Sequence, residues 1–65
     1  MAPYRVIAEG PVGPVEALYY TWSVAVEAFL SWNYRLGWVN VSMERHIHGL
    51  GWVKVDVQPP PDYQF

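Results

Sequence analysis

Sixty-five residues with a formal net charge of −2 allow one small domain and exclude a large buried core. The absence of cysteine removes disulfides and thiolate metal sites, and four Lys and Arg without a basic run argue against a surface that tracks nucleic-acid phosphates. Aromatic residues reach 17% while charged residues are only 15%, the reverse of a disordered composition and a surplus of large apolar side chains for so short a chain.

Tyr4 to Glu9 alternates as a short strand, with Tyr4, Val6 and Ala8 on one face and Arg5, Ile7 and Glu9 on the other. Gly10-Pro11-Val12-Gly13-Pro14 reads as a turn-rich link, and Pro11 and Pro14 remove the amides that a phosphate cradle would need. Pro14 to Leu36 then reads as one long helix. Gly13 is a tolerable N-cap, Pro14 suits the first helical position, Glu16 favours the N-terminal dipole, Arg35 favours the last turn, and Gly37 can take the left-handed conformation that ends helices. Such a helix is roughly 33 Å long at 1.5 Å per residue. Leu18, Trp22, Ala25, Phe29, Trp32 and Leu36 follow three- and four-residue steps and form its core stripe. Glu16, Tyr20, Ser23, Glu27, Ser31 and Tyr34 form the wet face. The apolar arc is wider than one small sheet can cover, which marks a contact with another chain. Its uncharged run ends at Glu27, well short of the about 20 residues a spanning helix needs, so a membrane helix is not expected. No basic start followed by an apolar run is visible, and a cytoplasmic setting is the expectation.

Trp38 to His48 alternates as the second strand. Val39, Val41, Met43, Arg45 and Ile47 share one face, and Trp38, Asn40, Ser42, Glu44, His46 and His48 share the other. A three-residue turn, Gly49-Leu50-Gly51, pairs His48 with Trp52, Ile47 with Val53, Arg45 with Val55 and Met43 with Val57 in a third strand, Trp52 to Gln58. Trp38 to Val41 then overhangs the third strand and needs the first strand or another chain beside it. The expected fold is α+β: a single β-α-β-β domain over residues 1–58, one long helix on a three-stranded sheet with the last strand central, followed by an extended proline-rich tail, 59–65.

Chemistry has few places to reside. His46 and His48 share a face with Glu44, and Asp56 lies opposite on the neighbouring strand, but two imidazoles at strand spacing read more simply as a polar outer face than as a metal site. No nucleophile has an elbow or triad context, and Glu16 and Glu27 are three helical turns apart, so catalysis is not expected and no cofactor or metal is assigned. Trp38 and Trp52 both alternate to the outer sheet face, where an indole suits a protein hot spot or a planar ligand. Pro60-Pro61-Asp62-Tyr63 resembles the proline-proline-x-tyrosine ligands of WW modules.

Tyr4-Arg5-Val6-Ile7, a helix, Leu36-Gly37-Trp38-Val39-Asn40-Val41 and a valine-rich last strand are similar in order to the dodecins, small β-α-β-β proteins that assemble into hollow shells and bind flavins between tryptophans. The resemblance implies an oligomer that holds a planar ligand, with Trp38 as the stacking residue. From the residues themselves, the expectation is a small non-enzymatic interaction module of the kind found among accessory or viral proteins. Its partner would be itself and possibly another protein, with Tyr20, Glu27, Tyr34, Trp38 and Trp52 as partner-binding residues.

Overall fold

The computed structural model describes residues 2–57. The proline-rich tail expected at 59–65, with its Pro60-Pro61-Asp62-Tyr63 motif, lies outside the described residues. Five elements follow in order: β1 (Tyr4–Gly10), β2 (Gly13–Tyr19), α1 (Trp22–Asn33), β3 (Val39–Ile47) and β4 (Gly51–Val55). They form one sheet, ordered β2-β1-β3-β4, in which every neighbouring pair is antiparallel. The α+β class stands, but the order is ββαββ on four strands rather than β-α-β-β on three. The last strand lies at an edge, not in the centre.

The stretch from Gly13 to Tyr19, expected as the N-cap and opening turns of a long helix, is instead the second arm of a hairpin. Pro11-Val12 is a two-residue loop that sets Gly10 opposite Gly13, and pairing then runs through Val6↔Ala17 to Tyr4↔Tyr19. Proline fixes the backbone for a tight turn at Pro11, and Gly13 follows at φ 131, a conformation that side-chain-bearing residues rarely adopt. Burial alternates along β2: Val15, Ala17 and Tyr19 are half-buried, and Pro14, Glu16 and Leu18 are exposed. Leu18 is therefore 51% exposed rather than part of a helical core stripe. Pairing both edges of β1 satisfies backbone groups that a three-stranded arrangement would have left open.

Thr21, in extended conformation (φ −121, ψ 149), precedes a helix of 12 residues, about 18 Å long. The helix packs on β1, β2 and β3 and does not reach β4. Ala25 and Trp32 face Val6, Ala8 and Met43; Val6, Ala25 and Met43 have no exposed surface. Each such fully buried Val or Met side chain contributes about 1.5–3 kcal/mol. Phe29, Val26 and Ala28 widen the contact, while Val24 is 47% exposed and Leu36, beyond the helix, 91%. The helix ends four residues before Gly37. The Tyr34 and Arg35 amides donate to the Ser31 and Trp32 carbonyls at 3.1 and 3.2 Å, tightening the exit. Gly37 still takes the left-handed conformation (φ 82), and a side chain there would meet Pro11 of the β1–β2 loop at 3.1 Å.

A bulge near the start of β3 changes which way its first residues point. Ile7 pairs with Ser42 but Glu9 with Val39, so β3 carries one extra residue there, and Asn40 takes φ 55. Upstream of the bulge the alternation inverts. Val39 goes outward, 54% exposed, and Trp38 turns inward, packing edge-on against Trp32 with ring centroids 5.1 Å apart. The overhang of β3 is taken up by β1, one of the two partners expected for it. The β3–β4 loop has three residues, but they are His48-Gly49-Leu50: Ile47 pairs with Gly51, His46 with Trp52, Arg45 with Val53 and Met43 with Val55. The expected register is thus shifted by two residues. A shift of two leaves every side chain on its face, so Trp52 and Lys54 point outward as read from the sequence.

Candidate functional site

The sheet has one face under α1 and one that no described element covers. On the open face the centre is Arg5, which β1 places opposite Leu18 on β2 and Glu44 on β3. Its Nε–H donates to Glu44 Oε1 at 2.7 Å, a second guanidinium nitrogen lies 2.5 Å from the same oxygen, and the third reaches Glu16 Oε2 at 3.4 Å. The guanidinium also lies 4.5 Å from the ring centroid of Trp52, two strands away on β4. His46 meets Trp52 edge-on at 5.3 Å, and Lys54 sits opposite Glu44. One arginine therefore ties all four strands together on this face. The contacts are unequal. The Arg5 and Glu44 side chains are 24% and 19% exposed, whereas Glu16 is 54% exposed and lies at long range, where an ion pair is worth little.

Toward the β1–β2 loop the open face dips into a shallow depression of about 620 Å³ lined by Ile7, Glu9, Pro14, Glu16 and Asn40. Glu9 accepts a hydrogen bond there from the Asn40 side-chain amide. No group of three or more His, Asp or Glu side chains among the described residues is placed to hold a metal ion. Glu16 and Glu44 flank a permanently charged guanidinium rather than a proton-transfer partner.

The five residues expected to bind a partner do not form one patch. Tyr20, 75% exposed, is in the β2–α1 link rather than on the helix. Glu27 is exposed on α1, and Tyr34 is 40% exposed just past its other end. Trp38, expected on the outer face, packs inside as a result of the bulge, with the Arg35 guanidinium 4.7 Å from its ring. Of the two tryptophans expected on the outer sheet face, Trp52 holds that position, half-buried beneath Arg5. Sequence reasoning passed over Arg5, the one basic residue of β1. It also passed over Leu18, assigned to the wrong element, and the free edge of β4.

That edge follows from the ladder. The His46 N–H donates to the Pro3 carbonyl at 2.8 Å, so Ser42, Glu44 and His46 bond toward β1, and Met43, Arg45 and Ile47 bond toward β4. In β4, Val53 and Val55 bond back, and Trp52 and Lys54 turn their amides and carbonyls away from the sheet. On the opposite edge, Pro14 lies on the outward-bonding positions of β2, where its missing N–H costs no ladder bond. No helix among the described residues is long and apolar enough to cross a membrane. Comparison with known protein families, characterised proteins and solved structures finds no match, so neither a family nor an activity is carried over to this chain. The resemblance to dodecins rested on a β-α-β-β order and implied Trp38 as a stacking residue; the order is ββαββ, and Trp38 packs inward against Trp32.

Proposed function

We propose that this protein is a small non-enzymatic assembly module, cytoplasmic in setting, that associates with a second copy of itself and offers its remaining aromatic surface to another protein. The observation that carries this reading is the imbalance of apolar side chains. Among the described residues seven are buried, three of them alanines, whereas eleven large hydrophobics are exposed. Solvent-exposed apolar surface on this scale, in a chain with so small a core, favours association. Tyr20, Glu27, Tyr34 and Trp52 are the residues left for a heterologous partner, since tyrosine and tryptophan supply large contact area at low entropic cost.

A planar-ligand role is the weaker reading. A flavin stacking on Trp38 would have to displace Trp32 or Arg35, and one stacking on Trp52 would have to displace Arg5 or His46. The test of self-association is molar mass by light scattering over a concentration series, with tryptophan fluorescence followed on addition of flavin. A mass that rises above that of one chain, with unquenched fluorescence, supports the assembly reading. A single-chain mass at every concentration removes self-association, and quenching by flavin restores the ligand reading.

A further inference from the structure

Resting on the self-association proposed above, we infer that its seam is the free edge of β4. Two copies pair antiparallel through Lys54 and Asp56, with Val55 facing Val55 of the second copy. The two four-stranded sheets would then continue as one.

The two edges of the sheet differ in what they offer. The outward positions of β2 are Pro14, Glu16 and Leu18; one lacks a donor, and the only charge on the strand is Glu16, so a second copy of β2 would bring no cation opposite it. The outward positions of β4 are Trp52 and Lys54, and Asp56 follows in the same alternation. No proline interrupts this run, and α1 does not reach it.

Symmetry then limits the register. A two-fold axis normal to the sheet keeps inner faces with inner faces, so one residue must lie opposite its own copy. An axis at Lys54 sets lysine against lysine, and an axis at Asp56 sets aspartate against aspartate. An axis at Val53 puts Lys54 opposite Trp52 and leaves Asp56 unmatched. Only an axis at Val55 puts Lys54 opposite Asp56, and it does so twice, at positions whose outward amides and carbonyls can bond both ways. On the inner face the same register sets Val53 against Val57 and Val55 against Val55. That seals a floor where Val53 and Ile47 are now 37% and 36% exposed beyond the reach of the helix. A lysine in an edge strand ordinarily discourages pairing. Here an aspartate two residues on makes the edge complementary to itself.

The test is charge reversal on the intact chain. Both side chains are exposed, and circular dichroism checks that the monomer fold is kept, including in Lys54→Asp, where a carboxylate comes to lie opposite Glu44. Asp56→Lys and Lys54→Asp should each weaken the dimer about tenfold or more, because each sets like charges opposite one another twice. An equimolar mixture of the two variants should recover the dimer, since one copy then presents two carboxylates to two ammonium groups. The double variant Lys54→Asp/Asp56→Lys should dimerise like the parent. Single variants that dimerise as tightly as the parent, or a mixture that stays monomeric, would place the seam elsewhere while self-association stands. A parent chain that is monomeric throughout would remove both.

Discussion

Under α1 the sheet carries Val6, Ala8, Val15, Ala17, Val41 and Met43; on its other side it carries Arg5, Glu9, Glu16, Glu44, Lys54 and Trp52, with no layer of described residues above them. The first face is held by exclusion of water and is nearly blind to which strand neighbours which. The second is held by directional pairs that run across strands, Arg5 to Glu44 and Arg5 to Trp52, which recognise particular neighbours. The contrast separates two tasks in a very small protein. The covered face supplies most of the stability, and the open face helps to fix strand order and register. The covered face is also too small to use all of the apolar side chains, which is why the edges and flanks carry the surplus.

Substitutions can break or sharpen that division. Met43→Ala should have the largest effect, about 2–5 kcal/mol, because Met43 is fully buried between α1 and the sheet. For a domain of this size that approaches the whole stability, and the urea midpoint should collapse toward zero. A loss below about 1 kcal/mol would mean that the covered face does not hold the fold. Arg5→Leu comes next, at about 1–3 kcal/mol, since it strands the mostly buried Glu44 carboxylate. Arg5→Lys should recover little of this, because an ammonium cannot match the guanidinium's fork and its stacking on Trp52 together. Urea unfolding of the three variants side by side would check the order, and a loss from Arg5→Leu as large as that from Met43→Ala would erase the distinction between the faces. Glu16→Gln should be the smallest, within about 0.5 kcal/mol, as expected of a long, exposed ion pair. A larger shift in the same titration would show that Arg5 depends on both its carboxylates.

The parts of this fold that could be read from the sequence are those where a single period dominates. β1 alternates cleanly, and the faces of β3 and β4 from Val41 onward follow from alternation alone. β2 was hidden because two periods overlap there. Leu18 continues the helical spacing of Trp22, Ala25, Phe29 and Trp32 backwards, while Val15, Ala17 and Tyr19 alternate as a strand, and the pairing demand of β1 decides between them. Trp38 was misplaced by one extra residue. Asparagine tolerates the left-handed conformation better than most residues, but nothing in the pattern marks Asn40 as the position that would use it. The β3–β4 register could be misread by two residues because Gly49 and Gly51 both take positive φ, and either placement of the loop preserves the faces. Of the interaction residues, Tyr20, Glu27, Tyr34 and Trp52 were legible as outward positions. The electrostatic lattice around Arg5 was not, because it depends on which strands are neighbours.

The account turns on whether the surplus apolar surface is satisfied by a second copy, and light scattering behind a sizing column on the intact chain over a wide concentration range tests that most directly. The mass should climb from that of a single 7.5 kDa chain toward twice that value as concentration rises. A constant single-chain mass up to the highest concentration would contradict it.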